Sequence, residues 1–301
     1  MMSWRCHFWY TFRCVLRYGK SGSSRLGELG MYPNREVFPN APLALVVTEI
    51  RFTDSPRLRQ QETLDAVAIA LEERFPVSTP QTNVTFNIAN LGPGVLPQVA
   101  QERRTVLMNT AKTESVTITP SSFIYETTAY REFDDLRTGV TAVCEALIDA
   151  NVCPALVRVG LRYVDEVRVP EPITNVRAWD KWIDASVISP LAIGPNDVNV
   201  SNAQGLVTFD LGEGKGLTFQ YAALNQPPVV QPQLLRRQKF EPGPFFVLDF
   251  DGFRDFNGED VVRLNAVEVT SVLNDVHGPV GAAFQRAITE DARNLFRGAI
   301  V

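Results

Sequence analysis

The sequence predicts an α+β protein of duplicated β-α-β4-α units, each a curved antiparallel sheet carrying a helix. Three observations lead there. Phe123–Phe133 (FIYETTAYREF) is echoed by Phe246–Phe256 (FVLDFDGFRDF): aligned without gaps, Phe123, Arg131 and Phe133 meet Phe246, Arg254 and Phe256, and Glu126 meets Asp249. Ile50-Arg51-Phe52-x-Asp54 matches Leu161-Arg162-Tyr163-x-Asp165 in the same order. Such self-similarity is weighed first because it sets the architecture. The hydrophobic pattern then runs strand, helix, four strands, helix, and restarts.

In the first unit, Leu43–Phe52 alternates apolar and polar residues, the period of a strand. Ser55-Pro56 opens a helix whose stripe is Leu64, Val67, Ala68, Leu71 and Phe75, with Pro76 as the stop. Strands are predicted at Val84–Ile88, Thr105–Asn109, Ser115–Thr119 and Phe123–Thr128, divided by turn residues such as Asn90, Gly92 and Pro120. A helix follows with Leu136, Val140, Val143, Cys144, Leu147 and Ile148 on one face.

The second unit opens on a strand at Leu156–Val169 and a helix around Val176–Ser186. Strands are expected at Leu206–Leu211, Leu217–Tyr221, Leu234–Phe240 and Phe245–Phe250. The longest helical pattern closes the chain, from Val269 to Leu295, with Gly278-Pro279 inside it as an expected kink or break. The domain division is therefore 31–154 and 155–301. Residues 1–30 are read as an extension that packs poorly, with translation expected to begin at Met31.

Composition is that of a globular protein, with 45% hydrophobic and 21% charged residues. Net charge is −5 but uneven: residues 1–30 carry five basic residues against Glu28, and the remainder holds 24 basic against 33 acidic. So acidic a body disfavours nucleic acid, whose binding rests on counterion release by Lys and Arg. No apolar run approaches the ~18 residues of a membrane helix. The four cysteines, Cys6, Cys14, Cys144 and Cys153, have neither metal spacing nor a disulfide pattern, which points to a reducing compartment.

Candidates for chemistry are few. Histidine is the commonest general base, and the chain has only His7 and His277. His277 sits beside the Gly-Pro pair, where a polar side chain can bond a freed helix carbonyl. Asp249 and Asp251 are two apart on a strand and share a face, a pair able to hold a divalent cation or to line a solvated face. Arg51 with Glu126, and Arg162 with Asp249, are predicted to form an ion pair in each unit; alternatively Arg158 and Arg162 together hold an anion. Gly212-Glu213-Gly214-Lys215-Gly216 lies between two strands with Leu217 after it, so it reads as a hairpin and not a phosphate loop.

The β-α-β4-α order resembles the fold shared by the TATA-binding protein and the helix-grip ligand-binding proteins, an analogy that carries no function. A narrower resemblance rests on Asn40-Ala41-Pro42 running into Val46–Phe52, on Arg158–Val164, on Leu248–Asp251, and on Leu273–His277 with Phe284, Ile288-Thr289 and Arg293. These segments resemble an uncharacterised, sporadically distributed bacterial family, from Met31 to the C-terminus. The resemblance implies a bacterial or phage source and a cytoplasmic protein, and it supplies no site residues. The functional expectation is a non-enzymatic binding protein without cofactor. Its partner would be a protein or a small apolar ligand, in an accessory role such as phage defence or a toxin–antitoxin locus, with self-association as a homo-oligomer a further expectation. Binding candidates are Arg158, Arg162, Asp249, Asp251 and His277; the alternative is a metal-assisted hydrolase using Asp249 and Asp251.

Overall fold

The computed structural model describes residues 36–87, 98–195, 198, 200, 202–226, 235–237, 243–258 and 261–299. The strands are β1 (Leu43–Phe52), β2 (Val77–Asn87), β3 (Gln98–Met108), β4 (Glu114–Thr119), β5 (Ser122–Thr127), β6 (Leu156–Val167), β7 (Ala203–Gly212), β8 (Lys215–Gln226) and β9 (Gly243–Asp255). The helices are α1 (Gln61–Ala70), α2 (Phe133–Asp149), α3 (Ala185–Ile188), α4 (Ala266–Ala287) and α5 (Glu290–Phe296). All nine strands form one antiparallel sheet in the order β2-β3-β4-β5-β1-β6-β9-β8-β7.

The first strand of each predicted unit makes the join. β1 and β6 pair edge to edge from Leu43↔Asp165 to Phe52↔Leu156, so the two segments share a continuous ladder. They also share a core. Val46, Ile50 and Phe52 of β1, Val159, Leu161 and Tyr163 of β6, and Phe246, Leu248 and Phe250 of β9 belong to one buried cluster with the inner stripes of α2 and α4. On β1 and β5 burial alternates, because successive side chains point to opposite faces. Among the described residues, helices cover one face of the sheet, while Val164, Phe245 and Val247 form a small buried cluster on the other.

α4 buries Val269, Val272, Leu273, Val276 and Val280, each 2% exposed or less, at about 1.5–3 kcal/mol per buried aliphatic side chain. Gly252 lets this helix sit against β9. A Cβ there would fall 2.7 Å from Val280 Cγ2 and 3.1 Å from Val276 Cβ. Asn265 caps the helix, its side chain accepting from the Glu268 N–H at 2.7 Å.

Of the kink or break expected at Gly278-Pro279, the break is absent: α4 runs through Pro279 to Ala287. The helix stops at Ile288, where the backbone is stitched to the segment after β6. The Asp184 N–H donates to the Ala287 carbonyl at 2.9 Å, and the Thr289 N–H donates to the Trp182 carbonyl at 3.1 Å. Packing of the long apolar stripe thus outweighs the single lost helical hydrogen bond at proline.

Two further expectations need correction. The helix predicted around Val176–Ser186 is a 3-10 turn at Val176–Lys181 followed by the short α3. The predicted strand Leu234–Phe240 is not a strand at 235–237, and its other residues lie outside the described ones. There the Arg236 N–H donates to the Lys112 carbonyl of the first segment at 2.6 Å, while Arg237 holds Glu166 of β6 through two bonds of 2.8 and 3.1 Å. Among the described residues the second segment therefore reads strand, helix, three strands, helix. The predicted extension, residues 1–30, lies outside the described residues.

Candidate functional site

Four of the five predicted site residues meet on the sheet face that turns away from α2 and α4. Even-numbered β6 residues and odd-numbered β9 residues point there, which brings Arg158 and Arg162 beside Asp249, Asp251 and Asp255. Direct cross-strand partners are Arg162↔Asp251 and Arg158↔Asp255. The Arg162 guanidinium nevertheless reaches one step along the ladder and grips Asp249 with Nε–H and Nη2–H at 2.8 and 2.5 Å. That leaves Asp251 for Arg158, which bonds it at 2.8 Å and Asp255 at 3.2 Å.

Arg158 also lies flat over the Phe253 ring, 3.8 Å from its centroid. Its cross-strand neighbour on β1 is Arg51. Like charges placed opposite repel, and each turns to its own acids, Arg51 to Glu49 at 2.9 Å. The predicted Arg162–Asp249 pair is therefore present, and the predicted Arg51–Glu126 pair is not. Glu126 stands opposite Val47, four residues from Arg51 along β1, about 13 Å at the rise of a strand.

The same register bears on the sequence echo. Arg51 faces Ser122, so the gapless match would set Arg162 against Phe245; the residue there is Asp251, six positions on.

Burial raises the Asp251 carboxyl above the ordinary range, against the opposing pull of Arg158 and Arg162. Asp165, 4% exposed on the helix-side register between Tyr163 and Val167, is raised well above it by burial and then by the charge of Asp249. Asp249 is itself only 2% exposed. The sequence reading passed over Asp255, Glu49 and Phe253. The signal for Asp255 was its even spacing from Asp249 and Asp251 on one strand.

His277, the fifth predicted residue, is on the opposite face of the sheet. Its ring stacks on Phe133 with centroids 4.0 Å apart, and Nδ1 lies 3.2 Å from the Tyr163 hydroxyl. It bridges α4, the start of α2 and β6, away from the carboxylates. Among the described residues no cluster of three His, Cys, Asp or Glu side chains is arranged to hold a metal ion. Burial pushes the Cys144 thiol up to about 12, which leaves it unionised as a nucleophile at neutral pH. A cavity of about 140 Å³ opens between the turn after α1 and the start of α2, where Arg74 bonds Glu114 at 3.2 Å and the Tyr125 hydroxyl at 2.8 Å.

The second candidate is β7. Among the described residues it has a strand neighbour on the β8 side only. Leu206, Val207 and Phe209 are 58%, 43% and 47% exposed. Val207 and Phe209 lie opposite Phe219 and Leu217, and so extend the apolar helix-side face past the reach of α4. Gly205 is overlain by the Tyr221 ring, 2.4 Å from where a Cβ would be. The hairpin to β8 turns at Glu213-Gly214 as predicted, with positive φ at both residues. Gly214 is needed there, since a Cβ would lie 2.6 Å from the Asp255 carbonyl oxygen.

No family model matches the chain, and no curated protein matches it. No helix among the described residues is long and apolar enough to cross a membrane.

Proposed function

We propose that this chain is a non-enzymatic interaction protein that binds a polypeptide by strand addition at the free edge of β7. The observation that carries this reading is the exposure of Leu206, Val207 and Phe209 on an edge strand. Natural edge strands are blunted by Lys, Pro or bulges along their length. β7 has no Lys or Pro, one charged residue in Asp210, and a register shift only at its end, between Asp210 and Gly212. An unpaired row of backbone donors and acceptors beside exposed apolar side chains is what strand-addition partners use.

Two alternatives have less support. A small apolar ligand between α4 and the sheet meets a closed interface at Gly252, Val276 and Val280. For the hydrolase reading, a cation at Asp249 and Asp251 would have to displace Arg162 and Arg158 from both carboxylates. Divalent cations are accordingly expected to leave the thermal midpoint unchanged. A midpoint that rises with added cation, and no longer does so in Asp249→Asn, would favour the hydrolase.

The binding reading is tested by capture. A polypeptide retained by the wild-type protein should be lost from Phe209→Lys, which places a charge on the edge; equal retention by both would count against it. Two ideas go with this proposal. One is descent of the two segments from a duplicated unit of the TATA-binding-protein or helix-grip kind, supported by a similar element order, one strand shorter in the second segment among the described residues, and by the edge-to-edge join. The other is a cytoplasmic, bacterial accessory role, supported by the free thiols of Cys144 and Cys153 and by the family resemblance.

A further inference from the structure

We infer that the occupant of the β7 edge is a second copy of this chain, paired antiparallel through β7 about a two-fold axis at Thr208. This rests on the strand-addition reading above and narrows it to one partner.

Two features favour self-pairing. The chain already joins sheets this way internally, since the ten-residue β1 pairs antiparallel with β6 to unite its two segments. β7 is also ten residues long and, among the described residues, has no strand on its far side. The strand is, moreover, complementary to itself. A two-fold axis perpendicular to the sheet keeps the helix-side faces of both copies together. It pairs only positions whose side chains share a face. Centred on Thr208, it sets Val207 of each copy opposite Phe209 of the other. Four half-exposed apolar side chains then meet in one patch, continuous with Leu217 and Phe219. Thr208 faces its own counterpart, and Leu206 lies beside Asp210 on the other face. Only one charged side chain per copy enters the joined strands, and it sits near the end. The product is a sheet of eighteen strands, twice the nine described. One strand pair is a small interface, so association is expected to depend on concentration.

The register gives a test that capture of an unrelated strand cannot imitate. Mass would be measured by sedimentation equilibrium for the wild type, Val207→Glu, Phe209→Lys and the double variant. Each single change should weaken the dimer by about tenfold or more, a loss of roughly one good contact's free energy. The double variant should recover dimerisation, because each new carboxylate then faces a new ammonium across the axis. All three variants alter exposed positions, so unchanged melting curves would confirm that folding is not at issue.

Failure of the double variant to recover would overturn this register. A wild type that stays monomeric at every concentration would overturn self-pairing altogether. If that monomer still retains a polypeptide that Phe209→Lys loses, strand addition stands with a different partner. If it retains none, both readings fall.

Discussion

Arg162→Ala is expected to destabilise the fold by about 3–4 kcal/mol, the cost of leaving a buried charge without its partner. Asp249 is 2% exposed, and the Arg162 guanidinium binds both of its oxygens. Removing that guanidinium would leave a buried carboxylate without its partner, on the same face of β9 as Asp251. Arg162→Lys should retain part of the stability, since an ammonium restores the charge without the two parallel bonds. Asp251→Asn should cost much less, because Arg158 keeps Asp255. Denaturant unfolding of the three variants tests the ranking: a small loss for Arg162→Ala would mean that Asp249 finds another partner.

Asp165→Asn is expected to act in the opposite direction and to stabilise the protein at neutral and alkaline pH. The folded-state carboxyl is raised well above its ordinary range, by burial and by the charge of Asp249. Folded Asp165 therefore holds its proton to higher pH than the unfolded chain, whose aspartates titrate near ~3.9. The stability this provides is fully present below that value and is lost as pH rises through the folded-state pKa. An amide of the same shape carries no charge to desolvate, so the variant should escape the loss. Its advantage should be near zero at acid pH and grow to roughly 1–3 kcal/mol at alkaline pH, the scale of burying a polar group without compensation. Thermal midpoints of the two proteins across the pH range give the comparison. Parallel curves would show that Asp165 titrates like a solvated carboxylate.

Part of this fold was legible because strands such as β1 and β5 alternate cleanly. Leu43–Phe52 was read to its ends, and the turn residues at 212–216 placed a hairpin correctly. The Arg162–Asp249 pair was also legible, since its members sit on adjacent strands with their polar sides out. The partner of Arg51 was not, because pairing depends on register, and the echo between Phe123 and Phe246 carries a register that the sheet does not use. At Pro279 the reason is different: local propensity forecasts a kink or a break, and a buried stripe from Val269 to Val280 carries the helix through without the break. The exposure of β7 was the least legible feature. Val207 and Phe209 alternate like core residues of a strand, and nothing in their spacing says whether that strand lies at the centre of a sheet or at its rim. Sheet order decides it, and sheet order follows from long-range pairing.

Amide hydrogen exchange across β7 tests the central claim most directly. Peptides covering residues 203–212 would be followed at dilute and concentrated protein, with β8 as the internal reference. Binding at the rim predicts that exchange in these peptides slows as protein concentration rises, and that Phe209→Lys abolishes the slowing. Fast exchange in β7 that is indifferent to concentration, to added polypeptide and to that substitution would contradict it.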